Sequence, residues 1–466
     1  MKLFKLLSRE ERQEISLLQI GTFLEYFDLM LYVHMAVVLN NLFFEKSDPH
    51  TMALLSAFAF CSTYLLRPFG AILFGWIGDT IGRKTTIVIT TLMMFCSCLL
   101  MGALPTYNEI GIMATWMVII CRMIQSLSSL GEMMGAEIYA TESIKPPLQY
   151  PIVSYISIAG SVGGTFALAV ASLVTHFQFN WRWAFFLGAG VAFIGTFART
   201  VLRETKEFID AKEEAKLRLE KNHFDLKTRK LSQERLDYLV ERFKSPFKTQ
   251  ISYFFAYCGW PVSFYLAYMY FNPTLKSFGY TPPDIVTHNL YLSIVLCFTN
   301  YLWAKLSYTI PPLKILKYRI FAFCGFGLIL PILIQLAASG RDIFLIQCMI
   351  LFLSLGVLPA DSIFLKGFSV LKRFTQSSWL YAWTRSIMYL ITTFGLIFLN
   401  EWMGHYGLWV LFVFLLPAMI YGINYFQSLE NQSEEREFQE EKVLDRLNGY
   451  YDPFIKKLKL MNKGKS

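Results

Sequence analysis

The sequence predicts an all-α membrane protein of twelve transmembrane helices in two six-helix bundles, and three observations lead there. Hydrophobic residues make up 55% of the 466 residues and charged ones only 17%, against about 25% charged in soluble domains. The apolar residues gather in runs of about 20, each enough to cross a ~30 Å hydrocarbon layer as a helix. These runs occupy the whole chain, which excludes a single anchored soluble domain, and they lack the ~10-residue alternation of membrane β-strands. The segments between the runs, finally, divide cleanly by charge.

The spans are expected at 16–41, 52–76, 85–104, 111–136, 150–175, 183–202, 250–273, 285–308, 317–338, 343–365, 376–398 and 406–427. One set of connections holds Lys2, Lys5, Arg9, Arg12, Arg83, Lys84, Lys145, the segment 199–248, Lys314, Lys317, Lys372, Arg373 and the tail, whereas the other holds little beyond Lys46, Arg182, Lys276 and Arg341. By the positive-inside rule the first set, with both termini, is cytoplasmic. The formal charge of +9 is therefore topological and does not call for nucleic acid. The chain is therefore expected to be a multi-pass membrane protein with both termini cytoplasmic.

Taken in order, the first apolar run, Ile15 to Phe44, is too long for a cleavable signal sequence and carries Glu25 and Asp28. The fourth span carries Arg122, Gln125 and Glu132. Residues 199–248 hold fourteen Lys and Arg and ten Asp and Glu with Leu and Phe between them, the pattern of a soluble amphipathic helix. This segment divides the chain into an N-terminal bundle (1–202), a linker (203–249), a C-terminal bundle (250–427) and a solvated tail (428–466). The seventh span is rich in aromatics, including Tyr257 and Trp260, around a Gly259-Trp260-Pro261 break. Broken helices are where transporters expose backbone to a cavity. The eight cysteines all lie in apolar segments without ligand spacing and read as packing residues, and His34 reads as structural or interfacial.

The strongest local signal follows the second span, from Arg67-Pro68-Phe69-Gly70 through Phe74-Gly75-Trp76-Ile77-Gly78-Asp79-Thr80-Ile81-Gly82-Arg83-Lys84. Gly75, Gly78 and Gly82 permit close backbone approach, and Asp79 can cap a helix start and meet Arg83 four residues on. This stretch resembles the loop between helices 2 and 3 of the major facilitator superfamily, G-x-x-x-D-x-x-G-R-K/R. Gly21 to Asp28, Arg122 to Glu132, Trp181-Arg182-Trp183-Ala184-Phe185 and Arg203 to Phe208 are similar to motifs of its metabolite:proton symporter family, which includes proline/betaine, citrate, 2-oxoglutarate and shikimate carriers. Ser126 and Leu130 stand where the family has glycine, and Lys206 where it has proline. The C-terminal half departs further: Leu302 to Pro312 lacks the glycines and acid of a second such loop, and Ser369 replaces proline in Phe368 to Phe374.

An ionised group at the bilayer centre costs at least ~2.5 kcal/mol, so Glu25, Asp28, Arg122 and Arg385, all placed at mid-depth, should face a cavity or a partner. Two readings are open. They are internal ion pairs, or the acids Glu25 and Asp28 carry protons and the arginines grip a carboxylate. On the second reading Glu132, Asp79 and Arg83 gate, and Tyr32, Arg122, Gln125, Tyr257, Trp260 and Arg385 bind solute, the aromatics by cation–π attraction. The expected function is alternating-access symport of a small zwitterion or carboxylate, driven by a proton gradient and needing no cofactor. The alternatives are a di- or tricarboxylate symporter, or a receptor or channel on the same scaffold. No Walker-A, nucleophile-elbow or zinc-protease motif is present in the sequence, which argues against an enzyme.

Overall fold

The computed structural model describes residues 6–43, 66–177, 180–223 and 245–433. The N-terminal half comprises α1 (Arg9–Phe43), α2 (Arg67–Thr80), α3 (Arg83–Ala103), α4 (Ile112–Ser143), α5 (Gln149–Phe177) and α6 (Arg182–Arg199), followed by the linker helix α7 (Lys206–His223). The seventh span is α8 (Phe247–Tyr257) and α9 (Gly259–Tyr268). The eighth and ninth are α10 (Pro282–Leu306) and α11 (Pro312–Leu336), and the tenth is α12 (Gly340–Phe352) with α13 (Asp361–Lys366). The eleventh is α14 (Arg373–Leu390), a π-helical turn at Ile391–Gly395 and α15 (Leu396–Met403), and the twelfth, α16, occupies 407–433. The chain is thus an all-α bundle with a helix for each of twelve spans. Cys61, the start of the second span, residues 224–244 of the linker and the tail from 434 lie outside the described residues, as does the side chain of His34.

Among the described residues six stretches are apolar and long enough to cross a bilayer by length and composition alone, the last being Val370–Ser433. The other spans are shortened, charged or broken, and the breaks matter. The seventh is interrupted at Cys258, just before the expected Gly-Trp-Pro. The tenth was expected to be continuous over 343–365. Instead it unwinds between Phe352 and Asp361, where Pro359 has no amide hydrogen to donate. Arg319 of α11 crosses to this stretch and donates to the carbonyls of Ser354 and Leu358 and to the Ser354 hydroxyl at 2.6 Å, giving the freed backbone partners inside the protein. Large apolar side chains such as Trp402 and Phe414 project outward from the helices, the surface expected of a protein embedded in lipid.

Within the N-terminal half α1 packs along α5, and α3 along α6. The two halves meet chiefly where α5 lies against α10 and α2 against α14. The second contact needs small residues. A Cβ on Gly75 would sit 2.7 Å from the Thr375 Cα, and one on Gly78 would overlap the Phe374 ring. These glycines let α2 approach the start of α14 closely.

Candidate functional site

The face carrying the α2–α3 turn and the linker, here the basic side, is shut by a buried network. Asp79, in the last turn of α2, accepts hydrogen bonds from the backbone amides of Phe374 (3.1 Å) and Thr375 (2.9 Å) and from the Thr375 hydroxyl (2.6 Å). The helix whose start it caps is therefore α14 of the opposite half, where exposed amides and the helix dipole favour a carboxylate. Arg83 lies 3.5 Å from Asp79 and is wholly buried. Its guanidinium donates to both oxygens of Glu142 (3.1 and 3.0 Å), to the carbonyl of Gly78 (2.6 Å) and, across the halves, to that of Val370 (2.6 Å). Arg373 at the start of α14 pairs with Glu142 and with Glu207 of the linker helix, both at 3.0 Å. Phe208 closes the guanidinium of Arg83 from below at 4.2 Å.

Glu204, between α6 and α7, accepts from the amides of Arg83 (3.0 Å) and Lys84 (3.3 Å) and so caps α3. Burial pushes the Glu204 carboxyl above its ordinary range, against the hydrogen bonds from Thr205 and Arg83 that hold it down.

Beyond this lock, toward the other side, two chambers lie between the halves. The inner one, about 90 Å³, is lined by Glu137 of α4, Asp361 of α13, Tyr257, Arg319 and Ser157. The outer one, about 60 Å³, is lined by Arg67 of α2, Phe264, Tyr268 and Tyr389. Tyr26, Ser161, Trp260, Tyr381 and Arg385 belong to both. Arg385 reaches them because α14 runs inward from its capped start. Its guanidinium carbon is 4.8 Å from the Tyr381 ring and 6.0 Å from that of Trp260, and among the described residues no carboxylate pairs with it. The Tyr257 hydroxyl donates to Asp361 (3.2 Å) and its ring stacks on Tyr253 at 4.2 Å. Ser157 donates to Glu137 (2.8 Å).

The remaining sequence-predicted residues fall elsewhere. Asp28, Arg122, Tyr32 and Gln125 form a buried cluster inside the N-terminal half that lines neither chamber. Arg122 donates to Gln125 (2.8 Å) and lies over the Tyr32 ring at 4.0 Å. The Cys98 thiol donates to one oxygen of Asp28 (3.2 Å), leaving the other buried without a hydrogen-bond partner among the described residues. Arg122 and Arg385 are thus not two jaws of one clamp, because α4 turns Arg122 into its own half. Glu132 pairs with Arg199 and accepts from Thr90 (3.2 Å) and Thr91 (2.8 Å), within the N-terminal half. Glu25 lies 3.9 Å from Arg67. Cys98 and Cys258, expected only to pack, both donate hydrogen bonds.

Sequence reasoning missed Arg67, Glu137, Arg319 and Asp361 as chamber residues and Glu142 as the centre of the lock. Arg67 was in view as the first residue of the glycine-rich stretch. Gly356 and Pro359 marked the break that carries Asp361 inward. Glu137 and Glu142 had no signal beyond being acids in an apolar helix.

Two helical bundles with chambers enclosed between them, and a charged closure on one side, define a multi-pass membrane protein. The chain belongs to the Major Facilitator Superfamily, whose sequence profile matches residues 18–366. It is 32% identical over 204 residues to a proline/betaine transporter of Escherichia coli, covering 42% of this chain and 41% of that one. Over 197 residues it is 35% identical to the inner membrane metabolite transport protein YhjE of the same organism, covering 41% and 45%. The aligned stretch thus spans less than half the length of these curated relatives. Among solved structures it resembles the proton:xylose symporter XylE bound to 6-bromo-6-deoxy-D-glucose, with 14% identity, TM-score 0.67 and coverage of 90% of this chain and 95% of that one. It also resembles the human organic anion transporter MFSD10, with 11% identity, TM-score 0.60 and coverage of 90% and 100%. At such identities the likeness is one of fold.

Proposed function

We propose that the protein is a proton-coupled symporter of a small zwitterion of the proline or betaine kind, working by alternating access in the bacterial inner membrane with its basic side cytoplasmic. The observation that carries this is the position of Arg385 in a wall of Trp260, Tyr381 and Tyr26 shared by both halves. A guanidinium suits a carboxylate, and desolvated aromatic faces suit an ammonium, contributing about 2 kcal/mol. Glu137 and Asp361 beside it favour a solute with a cationic end and oppose a citrate-like polyanion, which supports the zwitterion over a di- or tricarboxylate.

In this reading the halves, 1–202 and 250–427, rock about the chambers. Asp79 and Arg83 hold the cytoplasmic side closed, Asp28 and Glu25 carry the proton, and Arg385, Trp260 and Tyr257 meet the solute. The Arg122–Tyr32–Gln125 cluster sets the surroundings of Asp28. The two chambers in this form hold only a few waters, so solute entry requires them to merge and widen.

Counterflow in proteoliposomes tests the reading. Labelled proline or betaine should exchange against unlabelled solute and accumulate when the outside is acidified. Binding without exchange would make the protein a receptor, and flux without counterflow a channel.

A further inference from the structure

Around the inner chamber, charges of opposite sign face one cavity without pairing. Glu137 of α4 and Asp361 of α13 are buried, at 4% and 6% exposed, and among the described residues neither has a lysine or arginine within ion-pair distance. Arg385, in the wall between the chambers, likewise has no carboxylate partner among them. The other cation here, Arg319, is spent on the carbonyls of Ser354 and Leu358 and on the Ser354 hydroxyl. Buried ions are normally held in pairs, so ions of both signs kept apart around a cavity leave room for an ionised ligand between them.

Each acid receives one side-chain hydrogen bond. Ser157 donates to Glu137 at 2.8 Å and Tyr257 to Asp361 at 3.2 Å. The second oxygen of Asp361 is buried and has no hydrogen-bond partner among the described residues. An ionised carboxylate offers about four acceptor sites, and leaving a buried one short of donors is costly. The charges acting on Glu137 are Asp361 first, then Arg385 and Glu25, and those acting on Asp361 are Arg385 and Arg319. The two acids thus oppose each other from opposite halves, and what they lack is a cation carrying more than one N–H.

We propose that Glu137 and Asp361 form an ammonium subsite that takes the solute by its N–H groups, so that the solute is an amino or imino acid with an unalkylated nitrogen and its carboxylate on Arg385. The subsite rests on the zwitterion reading above and narrows it. A proline nitrogen brings two N–H donors, whereas the quaternary nitrogen of betaine brings the same charge and none. A quaternary group leaves the open oxygen of Asp361 unpaired, and sites built around a substrate N–H discriminate strongly against analogues that lack it. The faces of Trp260 and Tyr381 accept either kind of cation, so the distinction lies with the two acids. With one acid in each half, an N–H-bearing solute also ties the halves together across the inner chamber.

The test is equilibrium binding to purified full-length protein of labelled L-proline and labelled glycine betaine, each displaced by L-proline, N-methyl-L-proline and N,N-dimethyl-L-proline. These three competitors keep the ring, the carboxylate and the positive charge while the N–H count falls from two to one to none. Wild type should bind them in that order, with a loss of at least about tenfold from first to last, ~1.4 kcal/mol or more. Asp361→Asn and Glu137→Gln keep the shape and remove the charge; in each, the ratio of first to last should shrink toward one.

A ratio unchanged in both variants would show that the added methyl groups merely collide with the walls, and would overturn the subsite. N,N-dimethyl-L-proline or glycine betaine binding wild type as tightly as proline would overturn it too, leaving the zwitterion reading intact. Melting temperatures in sodium chloride and in choline chloride, without solute, supply a further arm. Stabilisation by sodium that vanishes in Asp361→Asn would make the pair a sodium site and not an ammonium one. If wild type binds none of these compounds, the zwitterion reading and the subsite fall together.

Discussion

Asp79→Asn measures what one carboxylate contributes to the closed state of the basic side. Asparagine keeps the shape and one oxygen acceptor, and caps helices about as well as aspartate in neutral surroundings. What it removes is the negative charge at the start of α14 and beside Arg83, where Asp79 now takes three hydrogen bonds from Phe374 and Thr375. A charge at a helix terminus in a partly buried setting is worth about 1–2 kcal/mol, and that sum changes a two-state ratio by about 5–30-fold. The contact spans the halves, so it exists only while the basic side is closed and its loss falls on one state alone. A cysteine at Val357, in the wall of the inner chamber, reports that state when the eight native cysteines are replaced by serine. Its alkylation from the basic side should quicken by the same factor of about 5–30, because labelling follows the open fraction when opening is fast. Unchanged or slower labelling would show that Asp79 does not distinguish the two states.

Asp28→Asn should abolish accumulation driven by a pH gradient while leaving membrane insertion intact; normal accumulation in the variant would remove Asp28 from the proton path. Trp260→Leu should weaken betaine or proline binding by about tenfold, from a lost ~1–2 kcal/mol of cation–π attraction, and leave a purely anionic ligand nearly unaffected; equal losses for both would deny the ring its role. Gly78→Ala places a methyl against Phe374 and should speed labelling at Val357 without lowering the melting temperature, since alanine favours the helix that glycine weakens; labelling at the wild-type rate would show that the helices absorb the methyl. For Glu204, whose folded-state carboxyl titrates above its ordinary range because of burial, the sign is the reverse of a paired acid. Its ionised form is penalised in the fold, so wild type should lose stability relative to Glu204→Gln as pH rises through the carboxylate range and just above it. A difference in melting temperature that stays flat as pH rises through and above the ordinary carboxylate range would contradict the burial.

The bilayer makes the fold of such a chain legible, because each helix must show as a long apolar run and each connection as a charged gap. That is why an all-α membrane fold could be read from composition alone. The tenth span was misread as continuous, because its break is made good by Arg319, an element away in sequence and silent in any local pattern. The site was legible where a residue type is expensive at mid-depth, as for Arg385, and where glycine and aspartate recur at fixed spacing, as at Gly75 to Arg83. It was illegible where function depends on a partner. Asp79 announces that it caps something, yet the amides of Phe374 and Thr375 that receive it carry no side-chain signature. Arg122 and Arg385 looked equivalent as lone buried cations, and only the rotation of α4 separates them.

The buried polar contacts sort into two kinds according to whether they would stay intact if the halves moved. Glu132 with Arg199, Thr90 and Thr91 joins α4 to α6 and α3 of one half, so it travels with that half and never has to break. Asp79 with Thr375, Arg83 with Val370 and Arg373 with Glu142 cross between the halves and would have to part on every turnover of the proposed cycle. Disruption of the first kind should therefore register in heat resistance and yield on purification, and disruption of the second in the speed of cycling. A survey of variants of this protein scored only for folding would pass over its gate.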